Sequence, residues 1–184
     1  MEFNYELKIP KDRVAVLIGT KGTTKRRIEK STKSSLKIDS EEGDVFISGE
    51  DALGLFTARE IVRAIGRGFN PDIALLLLKQ DYVFEILDLK DFAGKNKSTL
   101  IRLKGRVIGD QGRSRKTIEQ LTECYISVTG KTIGIIGEAE NATIARQAIE
   151  NLLEGSTHAN VYRFLEKKRR ERKRMLFEMR PASL

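Results

Sequence analysis

The chain has 184 residues, 34 Lys+Arg against 26 Asp+Glu for a formal net charge of +8, and 40% hydrophobic residues. That apolar content suffices for a packed core and excludes general disorder, while the longest apolar runs, such as 73–78, fall far short of the roughly 20 residues that span a bilayer. A single cysteine, Cys124, excludes an internal disulfide, and with a single histidine, His158, it rules out the usual tetrahedral zinc sites.

In chain order, Phe3, Tyr5, Leu7 and Ile9 alternate with Asn4, Glu6 and Lys8, the period of a half-buried strand that Pro10 ends. Val14, Leu17 and Ile18 then fit a short amphipathic helix stopping at Gly19. After Gly22, Thr23 or Thr24 is expected to cap a second helix through Thr32, with Ile28 inward. Leu36 and Ile38 mark a second strand, 41–44 a turn, and Val45 and Ile47 a third strand ending at Gly49. Residues 51–67 carry Leu55, Ala58, Ile61, Val62 and Ile65 at helical spacing. The order is βααββα. Asn70 and Pro71 are a helix start, and 73–78, apolar nearly all round, is expected to be a buried helix. It runs into the next strand without a Gly/Ser linker, so the two halves are expected to pack as one unit. The same succession follows. A strand spans 82–89, a polar connection 90–98, and a helix ends at Ile108. The motif GDQG precedes a helix over 113–122. Strands lie near 125–128 and 133–136, and a long helix from Ala139 points Ala145, Ala148, Ile149, Leu152 and Leu153 inward.

The two successions are copies. VLIGTKGTTKRRIEKST (16–32) aligns with RVIGDQGRSRKTIEQLT (106–122) at an offset of 90. Gly19 thereby matches Gly109, Gly22 matches Gly112, Glu29 matches Glu119 and Thr32 matches Thr122. The offset becomes 88 where ISGE (47–50) meets IIGE (135–138), a two-residue gap placed at a turn, where a duplicated fold tolerates it. The expected division is 1–69, a connecting helix 70–81, 82–158, and a basic extension 159–184. Charge is uneven across it. Residues 1–80 are net +2, 81–158 net zero and 159–184 net +6, most of it in EKKRRERKR (166–174). Such a tail, read as continuing the last helix, points to a polyanionic partner. It has no strong apolar face or lipidation motif, so no membrane partner is expected.

Each GxxG joins two helices within four residues. Glycine permits positive φ and, lacking a Cβ, lets another backbone come close. The following helix aims its free amides at that point, a setting suited to a phosphodiester. Two copies of I-G-x-x-G-x-x-x-x-x-I inside βααββα resemble the KH domain, a single-strand nucleic-acid binder whose GxxG loop clamps the backbone. The third strand and long helix follow the core, the type I order, so the implied fold is α+β with tandem type I KH domains. The segments 64–89 and 102–138 resemble the archaeal two-KH ribosome-biogenesis family, whose eukaryotic counterpart is the pre-ribosomal RNA processing factor Partner of Nob.

That resemblance implies a non-catalytic, monomeric, cytoplasmic factor without cofactor, bound to single-stranded RNA in the 3′ region of small-subunit ribosomal RNA. It further implies as partners the alpha subunit of translation initiation factor two and a ribosomal RNA-trimming endonuclease. The implied RNA contacts are Arg106, Val107, Ile108, Gly109, Asp110, Gln111, Gly112, Arg113, Ser114, Arg115 and Lys116 in the second copy, and Gly19, Thr20, Lys21, Gly22, Lys25 and Arg26 in the first. Lys167, Lys168, Arg169 and Arg170 join them from the tail. The family's eukaryotic members have lost the first glycine loop, which this chain keeps as GTKG, so the second loop is taken as the main clamp. Two alternatives stand beside this reading. One is an adaptor that binds the initiation factor subunit. The other is a tandem-KH transcription elongation factor, against which the strands at 45–48 and 133–136 argue, because both follow their GxxG helices. No constellation of residues supports an enzyme. Cys124 reads as a small buried residue, His158 as lying at a helix break without an acid–base partner, and the Asn141–Thr143 sequon as incidental.

Overall fold

The computed structural model describes residues 3–179. The first copy runs β1 (Phe3–Lys8), α1 (Lys11–Ile18), α2 (Thr23–Thr32), β2 (Ser35–Ile38), β3 (Asp44–Gly49) and α3 (Ala52–Gly66). A connection of α4 (Pro71–Ala74) and one 3₁₀ turn (Leu75–Leu78) leads to the second copy. That copy comprises β4 (Tyr82–Asp88), α5 (Lys90–Ala93), α6 (Lys97–Ile108), α7 (Arg113–Thr122), β5 (Tyr125–Thr129), β6 (Thr132–Glu138) and α8 (Ala139–Leu153). A final helix, α9, covers His158–Glu178. Each sheet has three strands, ordered β1-β3-β2 and β4-β6-β5 and antiparallel throughout. The third strand of each copy is central and follows the GxxG helices, which is the type I order and removes the type II elongation-factor alternative.

The aligned polar residues of the repeat have local structural roles. Glu29 accepts from the backbone N–H of Leu36 at 2.8 Å, and Glu119 from that of Ile126 at 2.8 Å, so each glutamate ties its helix to the next strand. The hydroxyls of Thr32 and Thr122 donate to the carbonyls of Ile28 and Ile118. Each ends a helix that turns out through a left-handed residue, Lys33 or Glu123.

The copies stack helices on sheet. The α3 side of the first copy lies on the outer face of the second sheet, the face turned away from α6–α8. Ile136 of β6 belongs to the core that holds Leu17, Ile61, Leu75 and Leu77, and Tyr82 and Phe84 pack against it. Phe69 meets Phe84 edge-to-face with centroids 5.8 Å apart. Gly134 makes room for it, since a Cβ there would stand 2.7 Å from the Phe69 ring. Ser127 Oγ donates to the Arg67 carbonyl at 2.8 Å across the same junction. The second sheet is thus covered on both faces, and the TIGIIG run of β6 is buried throughout. β3 keeps the alternation of a sheet covered on one face.

Five expectations are corrected. β1 lies at a sheet edge, and Phe3 and Tyr5 are exposed instead of half-buried. Neither Thr23 nor Thr24 caps α2; Gly22, in the left-handed region, takes the cap position and no side chain bonds there. The connection is no single buried helix. Asn70 does cap it, accepting from Asp72 N, but α4 has four residues and Leu78 of the 3₁₀ turn is exposed. The expected polar connection 90–98 includes the short helix α5. The basic tail likewise does not continue α8. The chain breaks at 154–157, and α9 folds back over α7 and α8, burying Val161 and Leu165 in the second core.

Candidate nucleic-acid interface

Both glycine loops hold one conformation. Gly19 and Gly109 have φ, ψ of 73°, 173° and 74°, 176°. Lys21 and Gln111 occupy 53°, 30° and 52°, 30°, and Gly22 and Gly112 occupy 74°, 17° and 73°, 14°. The two glycines of a loop do different work. A Cβ on Gly19 would stand 2.8 Å from Thr24 N, and one on Gly109 would stand 2.7 Å from both Ser114 N and Ser114 Cβ. The first glycine therefore lets the second helix seat its N-terminus against the loop. Nothing lies within 4 Å of a Cβ on Gly22 or Gly112. The second glycine leaves open the space in front of α2 and α7, where their free amides point.

Charge around the loops differs. In the first, Lys21 is exposed, Arg26 donates to the Lys21 carbonyl at 2.7 Å and braces the loop, and Lys25 lies 4.0 Å from Glu29. Thr20 is exposed. In the second, Asp110 and Gln111 are exposed, and Arg113 reaches Asp110 at 3.7 Å. Both partners are nearly fully solvated, so this pair adds little and leaves Arg113 available. Lys116 is exposed and borders a shallow groove with Glu119, Gln120 and Tyr125.

Three candidate residues are committed elsewhere. Arg106 donates from Nε to the Leu152 carbonyl at 3.0 Å and from its terminal nitrogen to the Ser156 carbonyl at 2.5 Å, closing the C-terminus of α8. Arg13 does this for α3 in the first copy, reaching the carbonyls of Ile65 and Phe69 at 2.8 Å each. Val107 is wholly buried in the second core. Ser114 is buried beneath Gly109, its hydroxyl without a protein partner. Ile108 is half-buried beside the loop, and Arg115 is half-buried with its Nε enclosed. On the tail, Lys168 pairs with Glu171 at 3.6 Å and Arg169 Nε is enclosed, whereas Lys167 and Arg170 are exposed. Their segment borders Leu121 and Thr122, and Arg172 bonds Glu123 at 2.7 Å and Asn141. The tail is therefore at the far end of α7 from GDQG, ten residues or about 15 Å along the helix.

Ile101 is not among the residues that the sequence pattern singles out. It is 70% exposed on α6, two turns before the loop, on one face with exposed Gly105 and half-buried Ile108 at i, i+4, i+7. That spacing was visible, but a lone exposed isoleucine carries little signal before the buried face of its helix is known. Cys124 is buried, and desolvation pushes its thiol up to about 11. His158 Nε2 lies 2.8 Å from the Arg106 carbonyl at the first turn of α9. No group of three or more metal-ligating side chains occurs among the described residues. Among the described residues, no helix is long and apolar enough to cross a membrane.

A family model described as "Eukaryotic type KH-domain (KH-domain type I)" matches residues 83–170, and one described as "KH domain" matches residues 4–64. A KH domain-containing protein of Methanocaldococcus jannaschii is 52% identical over 177 residues, which cover 94% of this chain and 77% of that protein. The crystal structure of Dim2p from Pyrococcus horikoshii superimposes with a TM-score of 0.83 at 48% identity, covering 90% of this chain and 99% of that one. The chain belongs to this two-KH-domain family. Its eukaryotic members include the RNA-binding protein pno1 of Drosophila melanogaster, 37% identical over 116 residues. Those cover 61% of this chain and 47% of that protein, so the chain spans about half the length of that relative. Dim2p in the a/eIF2alpha–aDim2p–rRNA complex of P. horikoshii matches with a TM-score of 0.86 at 46% identity, over 92% of this chain and 96% of that one.

Proposed function

We propose that this protein is a non-catalytic, cytoplasmic RNA-binding factor that holds a single strand in the 3′ region of small-subunit ribosomal RNA during ribosome maturation. The observation that carries this is the open space before Gly112 and Gly22, faced by helix amides and flanked by exposed cations. A sugar-phosphate backbone fits there because no side chain stands in its way, and the phosphates meet unpaired N–H donors. The contacts assigned to the second copy are Ile108–Arg113, Arg115 and Lys116, with Ile101 and Gly105 as the apolar floor before the loop. The relative solved with rRNA and a/eIF2alpha supports this reading and extends it to the alpha subunit of initiation factor two. A ribosomal RNA-trimming endonuclease completes the proposed partners. The working division is 1–69, 70–81, 82–158 and 159–184, with α9 counted in the packing of the second domain.

Crosslinking in cells followed by sequencing of the bound RNA tests the target. Reads concentrated at the 3′ end of the small-subunit RNA are expected, and their absence sinks the assignment. In vitro, Gly112→Asp is expected to weaken single-stranded RNA binding at least tenfold, about 1.4 kcal/mol, with the fold retained.

A further inference from the structure

The two copies differ at a cleft remote from the glycine loops. β1 is an edge strand, paired only with β3. Ile9 donates its N–H to Gly43 at 2.9 Å, and by the alternation of an antiparallel ladder Asn4, Glu6 and Lys8 turn their own N–H and C=O groups to the free side. A groove of about 520 Å³ runs between this edge and α3, lined on the helix side by Arg59, Arg63 and Arg67. In the second copy the matching cleft is bridged. Arg146 of α8 holds Glu85 of β4 at 3.1 Å and Glu150 at 3.0 Å. Strand register and the buried faces of the long helices match Glu85 to Tyr5, Arg146 to Arg59 and Glu150 to Arg63. The arginine is kept and both carboxylates are gone. Arg59 lies instead 5.1 Å from the Tyr5 ring centroid and 3.9 Å from the Glu60 carboxylate. Arg63 holds Glu60 at 2.8 Å and stands 5.8 Å from the Phe84 ring centroid, so the one carboxylate they share comes from their own helix and none from the strand. The lining carries five cations, Lys8, Lys11, Arg59, Arg63 and Arg67, against Glu6 and Glu42.

We infer that this cleft is a docking site for an extended, acidic segment of a partner protein, which adds to the β1 edge and supplies in trans the carboxylates that the second copy holds in cis. Spacing agrees. Arginines four apart on a helix rise about 6 Å, and alternate residues of a strand about 6.8 Å. Main-chain groups at the edge provide affinity and the arginines select acidic side chains. A peptide fits better than a nucleic acid here. A strand edge offers alternating donors and acceptors that a phosphodiester cannot match, and Glu6 and Glu42 border the groove. The site lies at the N-terminal end of α1, eight residues or about 12 Å from its glycine loop, so its occupancy is separable from RNA binding.

The test is fluorescence anisotropy on the full chain with a fluorescein-labelled, end-blocked eight-residue peptide alternating Glu and Thr. Saturable binding is expected. It should fall at least tenfold when Lys replaces Glu in the peptide, and at least tenfold when alternate peptide nitrogens are methylated. Tyr5→Glu with Arg63→Glu rebuilds the closed bridge of the second copy and should cost the same factor. Arg59→Gln, a milder change, should do so too. Both proteins should bind an eight-nucleotide oligouridylate as the wild type does, so failure here is distinct from failure of the RNA reading. No saturable peptide binding, or binding indifferent to Arg59→Gln or to N-methylation, overturns the proposal. Displacement of the peptide by oligouridylate that persists in Gly112→Asp also overturns it, and makes the cleft a nucleic-acid site.

Discussion

Phe46 and Gly134 occupy the same place in the two copies, on the outer face of the central strand, and meet opposite surroundings. Phe46 is 43% exposed on a face otherwise set with Asn4, Glu6, Lys8, Lys37 and Ser48. Gly134 lies beneath the Phe69 ring. One fold thus serves as an end layer in the first copy and as an inner layer in the second. Coverage accounts for further differences. It buries the TIGIIG run of β6 at every residue, and it brings the end of the first copy's α3, at Arg67 and Gly68, against Ser127 and Thr129 of the β5–β6 hairpin. The glycine loops, by contrast, are alike because local geometry alone dictates them.

The largest expected effect breaks the stacking. Phe69→Ala removes a ring 3% exposed and leaves a cavity at the junction, so a loss of roughly 3–5 kcal/mol is expected. Phe46→Ala should stay within about 0.5 kcal/mol. Urea unfolding of both proteins decides this, and equal losses would mean that the junction does not stabilise the chain.

A smaller effect separates Cys124 from its counterpart Ser34. Burial raises the thiol from 9.0 to about 11. The folded state therefore keeps a proton that the unfolded state gives up first. Its contribution is fully present below pH 9 and is lost as pH rises toward 11, on the order of 2–3 kcal/mol at most. Tyrosines and lysines titrate in the same window, so the observable is the difference between wild type and Cys124→Ser. A flat difference from pH 8 to 11 contradicts the burial argument. Slow alkylation at pH 7.5 is the kinetic counterpart.

Next come the glycines. Gly109→Ala drives a Cβ into Ser114 and should cost about 1–3 kcal/mol of stability. Gly112→Ala meets open space and should cost about 1 kcal/mol, from its left-handed φ alone. If the second copy is the main clamp, Gly22→Asp weakens RNA binding less than Gly112→Asp. Since the two loops share their torsions, an equal loss would assign both copies to the RNA.

The element order, the repeat and both loops were legible in the sequence, because helix and strand periods, Pro10 and Asn70–Pro71 act locally. The roles of Arg106 and Arg13 were not. Both arginines close the end of a helix about 50 residues away, and nothing in the spacing distinguishes such a cation from an RNA contact. Thr23 was misread because a hydroxyl after glycine looks like a cap, while the loop's torsions give that position to Gly22. The fold-back of α9 was hidden by the basic run, whose charge overshadowed Val161 and Leu165 one turn apart.

The smallest expected effect on the fold concerns that run. Arg172 is held by Glu123 and Asn141, Lys168 by Glu171 and Arg174 by Glu178. Lys167, Arg170 and Lys173 are exposed and form no ion pair among the described residues, and their spacing of three puts them along one side of α9. Changing these three to Gln should alter stability by no more than about 0.5 kcal/mol, whereas deletion of the tail would also remove the Arg172 bonds. A cation that meets a phosphate outside the groove adds affinity without reading a base. Each phosphate neutralised contributes roughly −0.7 to the slope of log K against log salt for a single strand. If all three engage, the triple variant's slope is shallower by about 2, and its discrimination between a cognate and a scrambled strand is unchanged. Because this side of α9 lies about 15 Å from GDQG, the difference should appear with a long oligonucleotide and vanish with one just filling the groove. Equal slopes on the long strand would remove the tail from the RNA path and leave the second copy's loop to act without it.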